Sequence, residues 1–438
     1  AKKSPLTKEQ QQSWGHADLA TDSIPGMSVK QAYAFLKGKK NVQVVVGVVD
    51  AGTDLKHEDL KDVAWNNPKE VANNGKDDDK NGFVDDITGW NFLGSIYKEN
   101  LEAERILKNP KLVDAAIYKE VKAAHDVKVA GAKNQETRFK QMLQGVTGAD
   151  NAIAKHLNKK EYTKEDVMAI KTEDASLTQS IAVAKQMFGF GLPSMSAAKT
   201  AIQAELDKAT ALLDGSALKK NYRAVLGDNP QDMVMKVYGD NKSGHSIKSE
   251  AHGTHVSGII AASRMNGVGM NGVANNVKIM AVRAVPDGDE YDKDVALGLR
   301  YAVDNGAKVI NTSFGKAYSP NKQWVYDAIK YAEEHDVLIV NAAGNDGADI
   351  DVVRTYPNDS KDLITEISDN VLTIGAMSSN YNKNLPASFS NYGKINVDIF
   401  APGVQIYSTT PENGYANFNG TSMAAPSTAG VAAMIRSY

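Results

Sequence analysis

The apolar positions of this chain follow two rhythms. Val42-Gln43-Val44-Val45-Val46-Gly47-Val48-Val49 is an almost unbroken β-branched run that ends at Asp50. Such a run predicts a strand buried on both faces, as in a parallel sheet. Shorter runs of the same kind recur at 277–282, 307–311, 337–340 and 371–374. Between them the spacing turns helical over 294–305, closed by Gly306, and over 324–334. Val29 to Leu36 predicts a further short helix, ended by Gly38. Strands alternating with helices predict an α/β fold with a mainly parallel central sheet, whose sites form at the strands' C-terminal ends.

Residues 98–235 break that pattern. Val113, Ile117, Val121 and Ala124 recur at helical spacing, as do Ile202, Leu206, Ala209 and Leu213, with Gly215 as the expected C-cap. This stretch reads as an all-α insertion. The expected organisation is an N-terminal segment over 1–40, an α/β domain built from 41–97 and 236–438, and the insertion over 98–235.

Composition narrows the chemistry. The 438 residues contain no cysteine, which removes thiol catalysis, disulfides and thiolate metal sites. The net charge of −3 gives no reason to expect nucleic acid, and no run is apolar and long enough for a membrane span. The chain begins at Ala1 rather than Met, so removal of a leader is expected.

Four polar blocks interrupt the apolar pattern at predicted strand ends or helix starts. They are Asp50-Ala51-Gly52-Thr53-Asp54, His252-Gly253-Thr254-His255, Asn341-Ala342-Ala343-Gly344-Asn345, and Asn419-Gly420-Thr421-Ser422 ahead of a small-residue run. A serine before a helix is either an N-cap or a hydroxyl placed at the positive end of the helix dipole. Together the four blocks hold a nucleophile, a base to take its proton, a carboxylate to orient the base and an amide to stabilise an oxyanion. Asp54 and Asp59 compete with Asp50 for the carboxylate role. Asp50 ends the buried strand directly, and Asp54 reads as a turn residue.

These blocks, in the order Asp, His, Ser, resemble those of the subtilisin-like serine proteases, the subtilases. The resemblance implies a three-layer α/β fold, with Asp50 as triad acid, His252 as general base, Ser422 as nucleophile and Asn345 as oxyanion amide. His255 is then structural. The implied activity is a serine endopeptidase that forms an acyl-enzyme on Ser422. The alternative is an idle subtilase-fold binding or scaffold protein.

Extended polypeptides are the implied substrates. They would be held between Ser313-Phe314-Gly315 and the stretch around Gly288, with Ala342, Ala343 and Gly344 as a wall of the P1 pocket. The acidic Asp287, Asp289 and Glu290 suggest a preference for basic residues at P2 or P4. The resemblance also implies export from a bacterial cell, and a fold that continues beyond Tyr438, so a fragment or processed chain is expected. The 202 residues from Asp50 to His252 exceed the gap in a compact subtilase, and the insertion accounts for them. Its position suggests control of the cleft or a protein partner.

Structural calcium is the one cofactor expected, and no organic cofactor is. Asp77, Asp79 and Asn81 alternate before Gly82 as in the first half of an EF-hand loop, with Asp86 in place of the missing distal glutamate. Asp59 matches the aspartate many subtilases use at a second site, whose other ligands would come from the 263–270 loop with Asn266.

Overall fold

The computed structural model of the chain describes residues 5–244 and 248–438. The first four residues of the N-terminal segment lie outside them. The chain forms two compact units, Ala1–Glu102 with Asn221–Tyr438, and Ala103–Lys220.

In the first unit seven strands form one sheet: β1 (Val44–Asp50), β2 (Gly89–Asn91), β3 (Val277–Arg283), β4 (Val309–Thr312), β5 (Leu338–Ala342), β6 (Val371–Met377) and β7 (Ile399–Pro402). Their order is β2-β3-β1-β4-β5-β6-β7, and every neighbouring pair is parallel. A separate antiparallel hairpin is made by β8 (Ile406–Thr410) and β9 (Gly414–Phe418).

All five predicted runs are strands. The first starts at Val44 rather than Val42 and carries Asp50 as its last residue. Alternation along β1 divides its valines between two cores. Val44, Val46 and Val48 join the core built with the helices His252–Ala261 and Thr421–Ser437, and Val49 joins the core of the helices Asp292–Asp304 and Lys322–Glu334. The result is three layers, helix on sheet on helix. Chain order reverses at β1, with β3 and β2 on one side and β4 to β7 on the other. The C-terminal end of β1 is thus the switch point at which such sheets place a site.

The second unit is helical. Helices Ala115–Leu157, Ala175–Gly189 and Met195–Leu213 bury Val146, Ile153, Leu177, Ile181 and Ile202 in a common core. Ile117, Val121 and Ala124 lie on the long first helix, and Asp114 caps its N-terminus. Asp214 is the C-cap residue of the helix Met195–Leu213, and Gly215 follows it at φ +67°, the left-handed position that a helix-ending glycine takes. This unit is shorter than the expected insertion because both flanks are bound into the first unit. Lys98 pairs with Asp287 in a β-bridge, and Arg223 is clamped by Asp228 and Asp294. Among the described residues no helix is long and apolar enough to cross a membrane.

Candidate active site

Asp50 closes β1 with its carboxylate buried, and its Oδ1 accepts the N–H of Ala51 at 2.7 Å. His252 is the first residue of its helix. That helix starts close to β1 because Gly253 has no side chain: a Cβ there would meet the carbonyl of Ala51 at 2.6 Å. The approach sets His252 Nδ1 2.7 Å from Asp50 Oδ1. Burial pulls the His252 pKa down, but the Asp50 charge and the hydrogen bond outweigh it and hold the pKa above its ordinary value. The ring is 38 % exposed, so desolvation counts for less than the direct contact with Asp50.

Ser422 is the second residue of the helix Thr421–Ser437, after Gly420 at φ 152°. Its N–H is among the first-turn donors that have no partner inside a helix. Pro426, four residues on, cannot donate to the Ser422 carbonyl. Ser313 Oγ does so instead at 3.0 Å, and Asn311 Nδ2 in turn bonds Ser313 Oγ at 2.8 Å. The Ser422 hydroxyl donates to the Ser313 carbonyl at 3.0 Å. Among the described residues it makes no hydrogen bond to His252. Hydrogen bonds of a reacting site are often loose without substrate.

Asn345 is oriented by its neighbour in space. Its Oδ1 accepts both the N–H of Thr421, at 2.8 Å, and the Thr421 hydroxyl, at 3.0 Å. With the oxygen so engaged, Nδ2 is the end left to donate, and the side chain lies beside Gly420 and so close to Ser422. Thr421 was not anticipated from the sequence, although it adjoins the serine.

The competing residues are engaged elsewhere. Asp54 accepts the N–H groups of Lys56 and Glu412, as a turn residue does. His255 stacks on Phe418 at 4.1 Å and bonds the Ala416 carbonyl, and burial pushes its pKa down to about 3. It is therefore neutral and fixes the β8–β9 hairpin.

The segments expected to hold substrate are shaped by the packing of the chain itself. Ala342 ends β5, and Ala343 and Gly344 continue toward Asn345. Gly315 lies against the Tyr356 carbonyl, 3.1 Å from where a Cβ would stand. Gly288, at φ +136°, is required by the chain itself, since a Cβ would lie 2.1 Å from the Glu99 carbonyl. Of the three acidic residues of this stretch, Asp287 is exposed, Asp289 accepts the N–H of Glu102, and Glu290 is 2 % exposed.

In the acidic loop, Glu70, Asp77 and Asp79 each offer an oxygen to a common point. Glu70 was missed because it lies outside the alternating motif. Its Oε1 accepts the N–H groups of Asp78 and Asp79, and its Oε2 is buried without a partner. Asn81 bonds Asp79 and Asp86 through Nδ2. Asp86 is fully buried with Asn67 and Tyr301, and burial raises its pKa to about 6. Asp59 and Asn266 do meet, but by an amide N–H at 2.7 Å, and the second Asp59 oxygen accepts the N–H of Met270. Donors rather than free oxygens face that carboxylate.

Several known proteins are similar to this chain. Thermophilic serine proteinase of Bacillus sp. (strain AK1) is 42% identical over 42% of this chain and 42% of its own length. Thermitase of Thermoactinomyces vulgaris is 38% identical over 48% of this chain and 71% of its own. Cell wall-associated protease of Bacillus subtilis (strain 168) is 39% identical over 44% of this chain and 20% of its own. The chain thus spans less than half the length of some of the curated relatives it matches. The family model described as "Subtilase family" matches residues 41–438, and with that match across most of its length the chain belongs to the subtilase family.

Proposed function

We propose that this chain is a serine endopeptidase working through Ser422, His252 and Asp50. The observation that carries the reading is the 2.7 Å contact between buried Asp50 and His252, beside a serine in the first turn of a helix. His252 takes the Ser422 proton as Oγ attacks a peptide carbonyl. Asp50 holds the ring with Nδ1–H toward itself and stabilises the imidazolium. Asn345 Nδ2 and the N–H of Ser422 stabilise the oxyanion. His252 then gives its proton to the leaving amine, and water hydrolyses the acyl-enzyme by the same route in reverse. The substrate strand lies between Ser313-Phe314-Gly315 and the stretch around Gly288, with Ala342, Ala343 and Gly344 beside the P1 side chain. The test is mass spectrometry of products from a proteome-derived peptide library. Cleavage is expected from the wild-type chain and not from Ser422→Ala. Equal cleavage by both would end the reading.

The same reading includes a structural calcium ion. Three carboxylates sharing a point, one with an orphaned buried oxygen, suit a hard cation. Glu70, Asp77 and Asp79 would hold it, with Asn81 and Asp86 alongside, and the ion would pin the 70–86 loop. The Asp59 carboxylate is already satisfied by the chain, so the proposal rests on the Glu70 group. Export from the cell belongs to the reading too, supported by the name of the Bacillus subtilis relative.

A further inference from the structure

We propose that Lys316 closes the fourth non-prime subsite, so that this enzyme selects substrates at P1 to P3 and is indifferent to the P4 side chain. The inference rests on the peptidase reading above. The reacting carbonyl lies at Ser422, whose hydroxyl bonds the Ser313 carbonyl. A substrate strand antiparallel to this edge therefore has P1 beside Ser313, P3 beside Gly315 and P4 beside Lys316.

The edge ends there. The N–H and C=O of Lys316 both pair with Tyr356, at 2.8 and 2.9 Å, and so turn away from the side that Gly315 presents. The Lys316 side chain then crosses to the opposite edge. Its Nζ bonds the Glu290 carbonyl at 2.8 Å, Asp292 Oδ1 at 2.8 Å and Glu102 Oε2 at 2.7 Å. Lys316, Glu102, Glu290 and Asp292 are all buried. The hollow left beside them measures about 10 Å³, room for about one water and not for a side chain.

The opposite edge is braced from behind by residues 97–102. Tyr97 and Glu99 pair with Asp287, and the Glu102 N–H bonds Asp289. Glu102 is also the last residue of the first unit before the helical one begins. The segment that leads out to the insertion thus supplies the carboxylate that neutralises Lys316. A small residue at 316 would leave a hollow open to an apolar P4 side chain.

A positional-scanning library varied at P4 tests this, with P1 to P3 held at the best residues. The wild-type profile is expected to stay within about threefold across apolar, polar and charged P4 residues. Lys316→Ala is expected to raise kcat/KM for large apolar P4 residues at least ~10-fold, leaving the P1 profile unchanged. Lys316→Met, which keeps the hollow filled, is expected to stay flat. If Lys316→Ala does not fold with its carboxylates uncompensated, Lys316→Ala with Glu102→Gln replaces it. A strong P4 preference in the wild-type enzyme, basic or apolar, overturns the proposal, as does a flat profile in a folded Ala variant. A folded chain that cleaves nothing and takes no phosphonate on Ser422 contradicts the peptidase reading instead.

Discussion

The two units of this chain use their charged residues in opposite ways. In the helical unit two ion pairs lie at the surface of the long helix, Lys122 with Asp126 and Lys140 with Glu136, one turn apart, Asp114, Thr163 and Asp174 cap N-termini, and Arg105 is the buried charge among the described residues. In the first unit many charges are buried, although Lys248 with Glu412 and Arg436 with Asp336 pair at the surface. Arg223 grips Asp228 and Asp294, Lys293 reaches Asp228, and Arg283, fully buried, places two of its nitrogens on Glu250, two residues before His252. Exposed pairs add little to stability, and buried ones are costly to break. The helical unit is therefore held by apolar faces and caps, whereas in the first unit charge is spent on fixing loops around the cleft.

The largest effects should fall in the first unit. Ser422→Ala is expected to lower kcat by on the order of 10⁴-fold or more without unfolding the chain, checked by single-turnover kinetics alongside thermal melting. Asn345→Ala is expected to cost about 10²–10³ in kcat with little change in KM. A larger rise in KM than fall in kcat would place Asn345 in substrate binding instead.

The Asp50–His252 pair predicts a pH signature. His252 serves as base only when neutral, and Asp50 holds its pKa above about 6.5, so the acid limb of kcat/KM should have its midpoint above that value. In Asp50→Asn the charge is gone while burial remains, and the midpoint of the residual activity should move down. A folded-state pKa raised in this way stabilises the fold below the unfolded value and loses that stabilisation as pH rises through the folded one. A midpoint unchanged by Asp50→Asn would break the account of the pair.

Stability separates the units further. Arg223→Met leaves buried Asp294 without its arginine and Asp228 with Lys293 alone, and is expected to cost about 3–5 kcal/mol in denaturant unfolding. Lys122→Ala should leave the melting curve where it was. Equal effects of the two would erase the contrast drawn above. A loss smaller than that of Arg223→Met is expected from chelation. If calcium is present at about 100 times its Kd, its removal lowers stability by about 2.7 kcal/mol. Glu70→Gln should make the melt insensitive to chelator, and an unchanged wild-type melt would contradict the calcium proposal.

The readable parts of the fold were those in which one face or one period decides. β-branched runs announced β1 and β3 to β6, because strands buried on both faces need apolar residues at every position. The short edge strand Gly89-Trp90-Asn91 and the β8–β9 hairpin carry no such run. In β8, Ser408 and Thr409 are buried because their hydroxyls bond the carbonyls of His255 and Thr254, a tertiary pairing that periodicity does not encode. The site was legible as residue types in order, since Asp50, His252, Asn345 and Ser422 each sit in a recognisable block. What orients them was not. Thr421 on Asn345, and Ser313 on the carbonyl that Pro426 leaves unpaired, depend on distances between segments far apart in sequence. Glu70 escaped for the same reason, as did the contacts of the acidic stretch, where Glu102 donates its N–H to Asp289 and Lys316 bonds the Glu290 carbonyl.

Covalent labelling tests the central claim most directly. The folded chain is incubated with a fluorophosphonate near neutral pH and mapped by peptide mass spectrometry. The account predicts a single adduct on Ser422, strongly slowed in Asp50→Asn and absent in Ser422→Ala. A fully folded wild-type chain that carries no adduct on Ser422 would contradict it.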